Sequence, residues 1–130
     1  MNIKTVVLAA ALTAASMNAS AGCTLEDLDG YWDFYSSSPY GVDTCSVRIT
    51  RGKVTPHRFA CNGSNGPYSP TISGTLKLDS YCHVSGRIYV DGARVNIIKS
   101  TLNQARTTIN GIGNIPAQGT EGQFLFTKFY

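Results

Sequence analysis

Four cysteines carry the most definite chemistry in this chain: Cys23, Cys45, Cys61 and Cys82. An even count in so short a chain suits a framework of two disulfides. No two of them form a Cys-x-x-Cys pair, so their spacing fits neither a redox motif nor a zinc ribbon. His57 and His83 stand alone, with no partner at metal-ligand spacing. There is no nucleophile elbow and no phosphate-cradling glycine loop. Asp27, Asp29, Asp79 and Asp91 fall at prospective turns or strand starts, where capping explains them, and Asp33 alternates outward. We therefore expect no catalytic residue, metal site or cofactor, and no enzyme. What remains is recognition chemistry, supplied by side chains that combine an apolar body with a polar tip: Tyr35, Tyr40, Asn62, Asn65, Tyr68 and Tyr89, together with Asp43 and Gln118.

Those groups need elements to hold them, and the first segment of the chain is not one. Met1 to Lys4 give a short basic start, Thr5 to Ala15 an apolar stretch too short to span a bilayer, and Ala19-Ser20-Ala21 a small-x-small cleavage pattern. Residues 1–21 thus read as a signal peptide, of bacterial character, leaving residues 22–130 as one domain of the periplasm or the medium. Ser20-Ala21-Gly22-Cys23 also resembles a lipoprotein processing box, which gives lipid anchoring through Cys23 as a second possibility. No later stretch is apolar enough to be a transmembrane segment. The net charge of +3 in the full chain is spread over isolated residues such as Arg48, Lys53, Arg87 and Arg94. A nucleic-acid surface would need such charges clustered, with aromatics between them.

Beyond residue 22 the periodicity is that of strands almost throughout. A single helical turn is expected at Thr24–Asp27, capped by Thr24. Eight strands follow, at 28–36, 44–50, 53–61, 71–78, 81–90, 93–100, 105–114 and 121–129. Arg51-Gly52, Asp79-Ser80 and Asp91-Gly92 leave two residues between neighbouring strands, as hairpins do. Consecutive hairpins make an antiparallel up-and-down meander, and eight strands of meander close into a small barrel that leaves no edge exposed. Gly30, Gly74, Gly86 and Gly111 each sit on the apolar face within a recurring apolar-polar-Gly-x-apolar pattern, where they would let the sheet bend. Pro56 should mark a bulge or an edge in the third strand.

This meander selects one cysteine pairing out of three. Cys45 opens the second strand and Cys61 closes the third, at one end of the barrel. Cys82 opens the fifth strand, at the other end, beside Cys23. The expected disulfides are Cys45–Cys61 and Cys23–Cys82, because crossed pairs would far exceed the roughly 5.5 Å between Cα atoms that a disulfide prefers. The longer connections, 37–43, 62–70 and 115–120, gather at the end that carries Cys45 and Cys61, where a rigid scaffold would present them for binding.

Leu28-x-Gly30-x-Trp32, placed after a helical turn and opening an eight-strand meander, resembles the first strand of the calycins, the lipocalin and avidin-type barrels. The resemblance implies that Trp32 packs across the closed end under a basic side chain from the last strand, here Lys128. It carries over no ligand, since Trp32 is the chain's one tryptophan and an avidin pocket uses several. The interior would be filled by Trp32, Phe34, Val47, Ile49, Phe59, Ile72, Leu76, Val84, Ile88, Val95, Ile97 and Phe124, or would hold one small ligand. The expected function is non-catalytic binding of a small molecule at the barrel mouth, by a protein of the bacterial envelope or medium. The alternative is an interaction protein or hydrolase inhibitor that docks on an envelope or extracellular protein through loop 62–70.

Overall fold

The computed structural model describes residues 22–129, apart from Pro39 and Tyr40 and the side chains at 38, 41 and 58–60. The expected signal peptide, Tyr40 and the side chain of Phe59 lie outside the described residues. A 3-10 turn, Leu25–Leu28, leads into nine strands. They are β1 (Gly30–Ser38), β2 (Gly41–Thr50), β3 (Lys53–Gly63), β4 (Gly66–Tyr68), β5 (Ile72–Leu78), β6 (His83–Val90), β7 (Ala93–Leu102), β8 (Thr108–Ile115) and β9 (Thr120–Lys128). A second 3-10 turn, Pro116–Gln118, links β8 to β9.

Eight of these strands form the expected antiparallel meander. Each pairs with the next in sequence, β3 passing directly to β5, and β9 returns to β1 to close the barrel. The seam between β3 and β5 is the thinnest, a single bridge at Lys53↔Thr75 reinforced by the Leu76 N–H donating to Gly52 O at 2.7 Å. The ninth strand, β4, is an addition outside the ring. It folds the expected 62–70 loop back on β3 as a small hairpin, with Gly63 opposite Gly66.

Alternation decides which side chains fill the barrel. Trp32 and Phe34 of β1, Val47 and Ile49 of β2, Leu76 of β5, Ile88 of β6, Ile97 of β7, Ile109 of β8, and Phe124 and Phe126 of β9 all turn inward and are buried. Apolar burial of this kind is worth about 1.5–3 kcal/mol per large side chain. Two hairpins turn as expected. Arg51-Gly52 and Asp91-Gly92 both take positive φ at each residue (49° and 80°; 50° and 80°), the backbone twist that two-residue hairpins favour.

The sheet curls where β5 and β6 meet. Gly74 lies opposite Ile88 and Gly86 opposite Leu76, with φ of 140° and 138°. A methyl group on Gly86 would collide with Thr75 O, and one on Gly74 with Arg87 O. The two strands can approach this closely only because neither position has a side chain. Register shifts between Cys45 and Val47, Val84 and Gly86, and Ile97 and Lys99 add further curvature. The first of these spans the stretch of β3 after Pro56, the position of the expected bulge.

Both disulfides pair as the meander requires, Cys23–Cys82 at one end and Cys45–Cys61 at the other. The sulfur of Cys23 is thereby committed and offers no thiol for a lipid. Disulfide frameworks of this kind persist in oxidising compartments. No helix among the described residues is long and apolar enough to cross a membrane.

Several boundaries differ from expectation: β1 runs to Ser38 and β2 starts at Gly41, which shortens the expected 37–43 connection to residues 39 and 40, and β3 and β7 run on to Gly63 and Leu102. Three further differences have a local cause. The connection after β5 takes four residues rather than two, because Asp79 accepts from the N–H groups of Tyr81 and His83, both at 2.9 Å, and Cys82 takes a φ of 68°. β8 starts at Thr108 instead of 105, since Asn103 Oδ1 holds the N–H groups of Thr107 and Thr108. The 3-10 turn runs on to Leu28, so β1 begins at Gly30.

Candidate binding site at the open end of the barrel

The two ends of the barrel are built differently. At the lower end Trp32 is fully buried and its Nε1–H donates to Leu28 O at 2.9 Å. Phe126 meets the indole edge-on, 6.3 Å between ring centroids. Lys128, the partner of Trp32 across β1 and β9, lays its ammonium 4.9 Å from the indole centroid and donates to Asp27 O at 3.0 Å. The 3-10 turn that supplies both acceptors is fastened by Thr24 N–H donating to Asp27 Oδ2 at 2.8 Å, and by Arg106 beside the same oxygen at 3.4 Å. Indole, ammonium and turn together seal this end, in the arrangement expected of Trp32 and Lys128.

The upper end is open. Phe34 and Phe124, 6.2 Å apart, form the last complete layer of the core. Above them lies a cavity of about 80 Å³. Its walls include Val95 and Ile115, and its rim carries Ser36, Asp43, Gln118 and Gln123. The second 3-10 turn overhangs it, stopped by Gly119 in the left-handed conformation. An apolar cavity near 150 Å³ is enough to hold benzene, and drug-sized ligands need roughly 300–1,000 Å³. At about half the benzene-holding volume, this cavity suits one apolar group of a larger compound, with polar partners at its edge.

Asp43 joins the mouth to the neighbouring hairpin, lining both the cavity and a groove formed with Ser64, Asn65, Pro67 and Tyr68. The Tyr68 ring and the Asp43 carboxylate both lie beside Gly63, on the same groove. Partial burial, and then the charge of Asp43, raise the Tyr68 pKa above the ordinary tyrosine value. Cys45–Cys61 closes the base of the hairpin, where Cys61 also pairs with Tyr68 in the ladder.

The expected binding residues divide accordingly. Asn62, Asn65 and Tyr68 come together on the β3–β4 hairpin, all exposed. Tyr35 is exposed on the outer face of β1, across from Leu125, so it does not enter the mouth. Tyr89 lies on the outer wall of β6, opposite Ser73 and Arg94. Ser36, Ile115 and Gln123 line the cavity, although sequence reasoning does not single them out. Ser36 is the residue whose alternation with Phe34 could have revealed it.

No known protein family matches the sequence, and no curated protein matches it. Among solved structures the chain is similar to one described as "De novo design of a fluorescence-activating beta barrel". The two share 19% identity and a TM-score of 0.61, over 80% of this chain and 95% of the other. At that identity the likeness is one of fold.

Proposed function

We propose that this chain is an exported, non-catalytic, calycin-like barrel of the bacterial envelope or its surroundings that binds a small molecule at its open mouth. The observation that carries the reading is the contrast between the ends: one sealed by Trp32 and Lys128, the other holding an apolar cavity with a polar rim. The sealed floor is also what supports the calycin kinship. A designed barrel of similar fold, described as fluorescence-activating, adds support by analogy of architecture. The size of the cavity favours a ligand that inserts one apolar end and leaves its polar part against Asp43, Gln118 and Gln123.

A native mass spectrum of the protein isolated from its own host tests this. The reading predicts a dissociable excess mass that disappears in Val95→Phe, which fills the mouth. A mature protein that carries nothing and gains nothing on exposure to a host small-molecule extract would overturn it. The same spectrum reads the cleavage site after Ala21 directly.

The β3–β4 hairpin favours a second reading, docking on another protein. Its base is crosslinked and its strands are paired, so it would lose little entropy on binding. Replacing residues 62–70 with a Gly-Ser linker should then abolish capture of that partner while leaving a mouth ligand in place.

A further inference from the structure

Cations that stand alone in the sequence are gathered by the sheet. On the outer wall of β5, β6 and β7, Arg87 lies directly opposite Thr75 and Asn96, and Lys77 opposite Ser85. Arg94 is opposite Tyr89, two residues along from the Arg87 position. Diagonal neighbours of this kind stand about 7–8 Å apart. Lys77, Arg87 and Arg94 therefore step across the wall at near-regular intervals, and Lys99 joins them through the irregular pairing of β7. All four are exposed.

One carboxylate, Asp79, borders the track at one end. The three strands contain no Asp or Glu. The two acids in their connecting turns are already engaged, Asp79 by His83 and two backbone N–H groups, and Asp91 by the Thr71 N–H at 2.8 Å. Among the described residues none of the four cations has an ion-pair partner. Two open grooves of about 710 Å³ each run along this wall and share Lys77 and Ser85, so they form one continuous track. Between the cations the track presents hydroxyls and amides: Thr75, Ser85, Asn96, Thr101 and Asn110.

We infer that the β5–β7 wall is a binding track for an anionic polysaccharide. Spaced cations meet the acidic groups, and the hydroxyl and amide side chains between them match sugar hydroxyls. A single-stranded nucleic acid would want a row of stacking aromatics, of which the described track has Tyr89 and His83, on separate grooves. A duplex would want an element that projects into a groove, and this wall is a sheet face.

The test compares two charge-matched variants of the mature protein on heparin oligosaccharides, neutral dextran and duplex DNA. One is Arg87→Thr/Arg94→Thr; the other is Arg48→Thr/Arg51→Asn, which removes two cations from β2 and its following turn. Heparin affinity of the wall variant should fall about tenfold at physiological salt, and its salt slope by about two, because two counterion-releasing contacts are gone. The control variant should change less than about twofold, and both should melt like the parent. Equal losses in the two variants would reduce the effect to net charge and overturn the proposal. So would absence of heparin binding by the parent, equal retention on dextran, or DNA binding of the same strength through the same two arginines.

Discussion

The sealed end of the barrel makes a quantitative prediction through the pair Trp32 and Lys128. Lys128→Met keeps the aliphatic stem and removes the ammonium that lies 4.9 Å from the indole centroid and donates to Asp27 O. A half-desolvated cation over an aromatic face is worth about 1–2 kcal/mol, and a charged hydrogen bond about 1.5–3 kcal/mol. The single variant should therefore lose about 2.5–5 kcal/mol. Trp32→Leu removes the ring and leaves both a void and a Leu28 carbonyl without its donor, at a cost of about 3–5 kcal/mol. The two losses should not add. The hydrogen bond to Asp27 O survives loss of the indole, whereas the cation–ring attraction is counted in both single variants. The double variant should thus be more stable than the sum of the singles by about 1 kcal/mol. Urea unfolding at neutral pH with both disulfides intact, followed by far-ultraviolet circular dichroism, reads this as a cycle of four midpoints with a common slope. Additivity to within about 0.3 kcal/mol would refute the claim that the ammonium and the indole act as one closure.

Three further outcomes follow from the same geometry. Gly86→Ala should destabilise the fold by about 3 kcal/mol or more in thermal or urea unfolding, since the new methyl group meets Thr75 O and φ stands at 138°. Replacing both Cys45 and Cys61 with alanine should lower unfolding stability by about 3 kcal/mol, the chain-entropy value for a separation of 16 residues, and should loosen the β3–β4 hairpin in amide exchange. Asp79 is held below the usual aspartate pKa, first by the hydrogen bond from the His83 N–H. A depressed folded pKa means stability that is present above the unfolded value and lost as pH falls through the folded one. Asp79→Asn should therefore flatten the acid limb of a melting-temperature profile below the ordinary aspartate range, and an unchanged limb would contradict that.

Much of this architecture can be read from residue order because a meander ties position along the chain to height in the barrel. That link places Cys45 beside Cys61 and Cys23 beside Cys82 without knowledge of any contact. It likewise puts Trp32 and Lys128 at the same end, on two strands that meet only on closure. Local chemistry that competes with the hairpin pattern is harder to see. Asp79 caps two N–H groups and so lengthens a turn that looks like two residues, and Asn103 delays β8 in the same way. The β4 hairpin hides within a segment rich in Gly, Asn and Pro, whose three ladder pairs rest on the disulfide rather than on apolar alternation. Tyr35 shows a different failure. Its parity with Phe34 points it outward, and closeness in sequence to the mouth does not place a side chain inside it. The basic wall is invisible for a related reason, since Lys77, Arg87 and Arg94 are ten and seven residues apart and become neighbours only through register.

Amide- and methyl-resolved NMR of the mature protein, titrated with a small-molecule extract of its own host, locates the ligand on the barrel. Shifts are expected at Val95 and Ile115 in the mouth, with Ile49 and Val54 near the sealed end unmoved, and no response in Val95→Phe. Ligand-dependent shifts confined to the Asn62–Tyr68 hairpin, or spread through the lower core, would contradict it.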